Sequence, residues 1–180
     1  AAPVTIHSIR LGGVNCYLAA SDDGCVLVDT GYAARRRALL RALEKTACLP
    51  GRLTLVAMTH GDTDHTGNSA YLRQSYGVPL AMHEGDARVV RSGDMRAGRK
   101  ERPDKFALLF RIASTLAPTS RFESFQPDHF LRDGERLDAY GFPATVYHTP
   151  GHSAGSISIL SDAGDLFCGD LLARLGKPGL

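Results

Sequence analysis

The sequence predicts an α/β (α+β) fold, and three observations carry that prediction. Short β-favouring runs separated by Gly- and Asp-rich turns fill the first third. A long Ala-, Leu- and Arg-rich helical segment interrupts them. Helices and strands then alternate until strands dominate the last third. At 180 residues, the chain has the length of one ordinary domain, able to bury roughly two-thirds of its unfolded surface, so a single domain over 1–180 is expected.

The elements follow in order. Strands are predicted over 4–11, 15–20 and 25–29, with Gly12-Gly13 breaking the first from the second and Ser21-Asp22-Asp23-Gly24 making a hairpin-type turn before the third. Residues 33–47 read as a helix, because Leu39, Leu40 and Leu43 share one face and Pro50-Gly51 closes the segment. Residues 53–58 form a continuous apolar run of strand length, as expected for a strand buried on both faces, and lead straight into the polar segment 59–67. A helix over 68–76 stopped by Gly77 and a strand over 78–82 come next, then strands over 135–137, 144–148, 156–160 and 165–168. Gly at 19 of 180 residues exceeds the usual ~7%, which fits many tight turns.

Composition narrows the function. Lys and Arg total 21 against 19 Asp and Glu, a net charge of +2, which does not advertise nucleic acid or an anionic membrane as partner. No apolar run reaches the ~20 residues a spanning helix needs, and no signal-peptide pattern is visible, so a cytoplasmic location is expected. Ala1-Ala2-Pro3 stands where an initiator Met would, which points to processing or trimming. Cys16, Cys25, Cys48 and Cys168 include no CxxC pair, arguing against a zinc ribbon or a disulfide scaffold. They are expected as reduced thiols, with Cys25 and Cys168 in the core. Between Arg88 and Arg111, inside an insert spanning about 88–127, eight basic residues face three acids. A solvated helical face explains this plainly. A basic wall that attracts an anionic substrate is the functional alternative. No aromatic residue falls between Arg88 and Lys105, which further disfavours nucleic acid.

The chemistry concentrates in His60-Gly61-Asp62-Thr63-Asp64-His65, four ligand-type side chains within six residues directly after an apolar strand. Imidazole and carboxylate together suit zinc, iron or manganese. Helix capping by Asp and Thr is the plain alternative, yet it does not call for this density. Thr149-Pro150-Gly151-His152 sets an imidazole after a rigid turn, Gly169-Asp170 sets a carboxylate at a strand end, and Asp29-Thr30-Gly31 does the same near the start. Acids and imidazoles at successive strand ends are the pattern of an α/β site.

The ordered set Asp29-Thr30-Gly31, residues 59–67, Thr149-Pro150-Gly151-His152 and Gly169-Asp170 resembles the metallo-β-lactamase superfamily of hydrolases, in order and in spacing. The resemblance implies a four-layer αββα sandwich with a metal site at one sheet edge. It further implies His60 and His152 as ligands of a first ion, Asp64 and His65 as ligands of a second, Asp170 between the two, and Asp29 behind the ligand loop as the acid that orients it. Two departures accompany it. Asp62 stands where the family usually has His, which makes the first site more carboxylate-rich and shifts it somewhat from zinc toward iron or manganese. The family's last His ligand has no counterpart before Leu180, so a C-terminal truncation is expected. His148 is expected to support the site or contact substrate rather than to replace that ligand, since Pro150 breaks the strand between it and His152.

The expected function is metal-dependent hydrolysis, most simply with zinc, one or two ions. Activated water attacks an acyl bond (thioester, lactone, amide or β-lactam) of a small, anionic substrate, with Asp64 as the catalytic carboxylate. Two alternatives remain: a diiron oxidoreductase of the flavodiiron type, and an inactive metal-binding module. A small-molecule substrate is the expected partner, without nucleic acid or membrane, and a homodimer is compatible with the sequence.

Overall fold

The computed structural model describes residues 3–98 and 121–172. Strands β1 (Thr5–Arg10), β2 (Asn15–Ser21) and β3 (Gly24–Val28) form an antiparallel meander. Its first turn runs through Gly12 and Gly13, at φ 72° and 103°, a backbone that residues with a Cβ adopt at a cost. From β3 the sheet continues in parallel through β4 (Leu53–Ala57), β5 (Leu80–Met82) and β6 (His129–Phe130), in the order β1-β2-β3-β4-β5-β6. Helix α1 (Arg36–Lys45) connects β3 to β4. The single turn α2 (Thr63–Thr66) and helix α3 (Ser69–Tyr76) connect β4 to β5, and α4 (Ala87–Ser92) follows β5. Strands β7 (Ala144–His148), β8 (Ile157–Ser161) and β9 (Leu166–Phe167) form a second, antiparallel sheet.

Alternation along the strands explains the layering. Cys16 and Leu18 of β2 and Cys25 and Leu27 of β3 pack with Leu39 and Leu43 of α1, Leu72 of α3 and Val90 of α4. Their neighbours Ala19, Val26 and Val28 face the other way, onto Val146, Ile157, Ile159 and Phe167 of the second sheet. Two cores thus share the first sheet, one beneath helices and one between sheets, each fully buried Leu adding roughly 2 kcal/mol. Of the four expected layers, the described residues form three: helices, sheet and sheet.

Several expectations need correction. Residues 135–137 are not a strand. Arg136 makes only an isolated bridge to Thr145, because Leu137 already enters a 3-10 turn (Asp138–Tyr140) that ends at Gly141 with φ 81°. Helix α1 stops at Lys45, before Pro50-Gly51, where Thr46 Oγ1 reaches the carbonyls of Ala42 (3.0 Å) and Leu43 (2.9 Å) and Ala47 turns left-handed at φ 53°. All four cysteines are free. Cys168 is only half-buried rather than a core residue, since it leaves β9 into the turn that carries Asp170. Strand β6, helix α4 and turn α2 were not expected. Of the basic stretch, 99–111 lies outside the described residues. Its described part places Arg91 in a 2.6 Å hydrogen bond to Gln126 Oε1. No described helix is long and apolar enough to cross a membrane.

Candidate metal centre

Parallel pairing of β3 with β4 carries Asp29 and Thr59-His60 out of the same sheet edge. Asp29 is 3% exposed and left-handed at φ 61°, a conformation Asp tolerates better than most residues. The bend aims its carboxylate at the next strand end. Oδ1 accepts the Thr59 N–H at 2.8 Å, and Oδ2 accepts the Thr59 hydroxyl at 2.8 Å and His65 Nδ1 at 2.7 Å. Thr59 Oγ1 also lies 3.1 Å from His60 Nδ1. Donor arithmetic then assigns the protons: the hydroxyl hydrogen goes to Asp29, so His60 Nδ1–H must donate to the hydroxyl, and His65 Nδ1–H donates to Asp29. One carboxylate thereby orients both imidazoles so that Nε2 faces the cluster, and both Nε2 atoms are buried without a hydrogen bond among the described residues.

Other ligand-type side chains meet these atoms. In α2, the Asp62 carbonyl accepts the His65 and Thr66 N–H groups, both at 3.0 Å, and the Thr66 hydroxyl at 2.9 Å, which winds Asp62, Asp64 and His65 around one turn. Across the seam, Ile157 N–H of β8 donates to the Thr59 carbonyl at 2.8 Å and brings the second sheet to the ligand loop. His152 Nε2 lies 3.1 Å from Asp62 Oδ2, and His60 Nε2 lies 3.8 Å from the same oxygen. Asp170 Oδ1 is 3.3 Å from His65 Nε2, while its Oδ2 is 3.7 Å from His152 Nε2, so the two oxygens face different imidazoles. Asp64 Oδ2 is 3.8 Å from His65 Nε2. Donor atoms of His60, His152 and Asp170 all fall within 4.8 Å of one another. Gly169, at φ 50°, permits this approach, since a Cβ there would stand 2.5 Å from Thr59 Oγ1.

The electrostatics suit a cation. Four carboxylates (Asp29, Asp62, Asp64, Asp170) surround three imidazoles. Burial, and then neighbouring His65, hold His60 below its ordinary pKa. For His65, burial opposes the charge but is outweighed by Asp29, Asp170 and Asp64, which push its pKa up to about 11. His65 in turn holds Asp170 down at about 2. A divalent ion meeting the two Nε2 atoms would displace the proton that this raised pKa keeps on His65, and the Nδ1–H bond to Asp29 would remain as the orienting contact. The donor set, two orphaned buried nitrogens, a third imidazole and three carboxylates, fits such an ion.

All the expected ligand-type residues converge here: His60, Asp62, Asp64, His65, His152 and Asp170, with Asp29 behind them. His148 stands apart. It stacks on His83 at 3.8 Å between ring centroids, and its Nε2 bonds the Ala154 carbonyl at 3.0 Å, supporting the loop that bears His152. Sequence reasoning missed three participants. Thr59 links the two imidazoles to Asp29. Half-buried Tyr32 keeps its hydroxyl protonated, held above its ordinary pKa by burial and by Asp64, Asp170 and Asp62. Asp86, 3% exposed, follows β5, and applying the strand-end rule to that strand would have found it.

The comparisons agree with this geometry. An uncharacterized protein of Mycobacterium tuberculosis is 30% identical over 166 residues, covering 88% of this chain and 67% of the relative. Hydroxyacylglutathione hydrolase GloC of Haemophilus influenzae is 29% identical, covering 90% and 68%. Among solved structures, BJP-1, a subclass B3 metallo-β-lactamase of Bradyrhizobium japonicum, superposes with a TM-score of 0.70 at 22% identity, over 96% of this chain and 63% of that one, a likeness that shows the fold. The chain spans about two-thirds of the sequence relatives' length and less than two-thirds of that solved chain. The family model described as the metallo-beta-lactamase superfamily matches residues 9–178, and with the strand-end cluster in place the conclusion is plain: this chain belongs to the metallo-β-lactamase superfamily.

Proposed function

We propose that this protein is a zinc-dependent hydrolase that cleaves an acyl bond of a small, anionic substrate, with thioesters ahead of lactones, amides and β-lactams. One observation carries the reading. The buried Nε2 atoms of His60 and His65, neither of them hydrogen-bonded among the described residues, open onto a cluster in which His60, His152 and Asp170 donors lie within 4.8 Å, an arrangement costly to keep without a cation to satisfy it. His60, Asp62 and His152 would hold one ion and Asp64 and His65 a second, with Asp170 facing both. A bound ion supplies a lowered pKa for water and polarises a carbonyl oxygen. The chain's own residues do the rest. Asp29 orients both imidazoles, His65 directly and His60 through Thr59. Asp64, its side chain 21% exposed, is open enough to accept the proton of an attacking water and return it to the leaving group. Tyr32 offers a neutral hydroxyl beside the carboxylates. Thioesters come first because a relative of this chain is a hydroxyacylglutathione hydrolase.

The test is to load the purified chain with zinc and offer it acyl-glutathione and acyl-CoA thioesters, lactones, esters, a β-lactam and a phosphodiester. Turnover of thioesters, abolished by His60→Ala together with loss of bound zinc, is expected. His60→Ala with undiminished metal content overturns the ligand assignment, and inactivity across the panel overturns hydrolysis. Asp62 hardens the donor set toward iron or manganese. A colourless protein with stoichiometric zinc after expression excludes a diiron oxidoreductase.

A further inference from the structure

We infer that Asp86 is a positioning residue that sets the spacing between the two loops bearing His60, Asp62 and His152; the inference rests on the metal-dependent reading above. Its carboxylate lies outside the ligand cluster and spans the seam between the sheets. Oδ2 accepts the Gly61 N–H at 2.8 Å and the Ser153 hydroxyl at 2.6 Å, and Oδ1 accepts the Gly155 N–H at 2.9 Å. Gly61 sits between His60 and Asp62, and Ser153 directly follows His152. A single buried side chain therefore grips the immediate neighbours of three candidate ligands, one group at the end of β4 and the other in the β7–β8 turn.

The packing leaves that grip little slack. A Cβ on Gly155 would stand 2.5 Å from Asp86 N, and one on Gly85 would stand 2.7 Å from the Ala154 carbonyl, so the two backbones touch with no side chain between them. The His152 loop draws no hold from the cores. Pro150, Gly151, His152 and Ala154 are exposed, and none of them is part of either core. Its placement depends on polar ties: Asp86 makes two, to Ser153 and Gly155, His148 makes one to Ala154, His152 itself meets Asp62, and Ser156 braces Ser153 from within the loop. All three of Asp86's partners are donors, which an ionised carboxylate satisfies. An amide would turn an N–H2 group toward an N–H or O–H. Altering Asp86 should therefore move His152 relative to His60 while leaving the cores as they are.

The measurement is zinc affinity of the full chain by competition with a chromophoric chelator, together with the absorption spectrum of the cobalt-substituted protein, which reports ligand geometry. Asp86→Asn is expected to bind zinc roughly 10–100-fold more weakly, the usual effect of removing a ligand's supporting partner, with a changed cobalt spectrum. Ser153→Ala, which removes one donor of three, should weaken zinc binding roughly threefold to tenfold. Leu39→Ala, in the core beneath α1, is the control for lost stability and should retain wild-type affinity. Wild-type zinc affinity and an unchanged cobalt spectrum in Asp86→Asn and Ser153→Ala overturn the inference while leaving the proposed function standing. If Asp86→Asn does not fold, Ser153→Ala decides alone. A wild-type chain that binds neither zinc nor cobalt overturns the proposed function and this inference with it.

Discussion

Asp29 shows how much one residue decides. It is buried, left-handed at φ 61° and bonded to Thr59 and His65, so its backbone strain and its carboxylate serve the same end. Asp29→Asn keeps the tolerance for that backbone but gives up one acceptor oxygen. The amide N–H2 then confronts a donor, and His65 is driven toward the tautomer with its proton on Nε2. Zinc affinity should fall at least about 10-fold, with a stability loss of roughly 1–2 kcal/mol. Asp29→Ala should cost roughly 3 kcal/mol, since it loses every acceptor and adds the left-handed penalty. Chelator competition and urea denaturation read the two effects. Wild-type zinc affinity in Asp29→Asn would sink the tautomer argument. At this scale the sequence was informative: the ligand-type residues announce themselves by chemical type and by position after apolar runs. Thr59 does not, because a hydroxyl after a strand looks like any turn residue until its partners, far away in sequence, are known; Asp86 follows a strand as the ligands do, but its role shows only once its partners Gly61, Ser153 and Gly155 are known.

Elements with strong periodicity were equally legible. α1 has Leu39 and Leu43 on its buried face, and α3 ends at Gly77 in the left-handed conformation, as its sequence suggests. What escaped is short or held from outside. β6 has two residues and exists because β5 offers it an edge. α2 is one turn whose N–H groups are collected by the Asp62 carbonyl. Residues 135–137 carry strand composition, but the turn after them cuts the pairing short. The glycines that end these elements separate two kinds of constraint. At Gly77 a Cβ meets nothing within 4 Å, so Gly77→Ala should cost only the left-handed penalty, about 1 kcal/mol. At Gly67, the C-cap of α2, a Cβ would lie 2.6 Å from Ala33 N, 2.7 Å from the Thr63 carbonyl and 2.8 Å from the Gly31 carbonyl. All three are backbone atoms with no side chain to swing aside. Gly67→Ala should therefore cost roughly 2–3 kcal/mol or more, and urea denaturation of the two variants should rank it clearly the worse. The reverse order would mean that the loop joining β3 to α1 yields more easily than its contacts imply.

Across the whole molecule, alternation within single strands told which residues face which layer, but not that the two sheets close against each other at the metal cluster. That depends on contacts such as Ile157 with Thr59, which no local pattern encodes. The consequence is thermodynamic. His60, Asp62, Asp64 and His65 hang from the first sheet and His152 and Asp170 from the second, so an ion held among them binds the native chain and not the unfolded one. With zinc at 100 times its dissociation constant, linkage adds about 2.7 kcal/mol. At roughly 2–4 °C per kcal/mol for a domain of this size, that becomes a rise in melting temperature of about 5–10 °C. Chain stripped with a chelator should melt lower by that amount, and zinc should restore it. Calcium should not, because it seeks oxygen ligands and half of this cluster is imidazole. An ordinary polar cluster would not distinguish the two cations, and His60→Ala, which removes one donor of the cluster, should lose most of the zinc-dependent rise while melting near the stripped wild type. Melting that ignores chelator and zinc alike would mean that the cluster is a self-satisfied network and that the carboxylates alone hold the imidazoles in place.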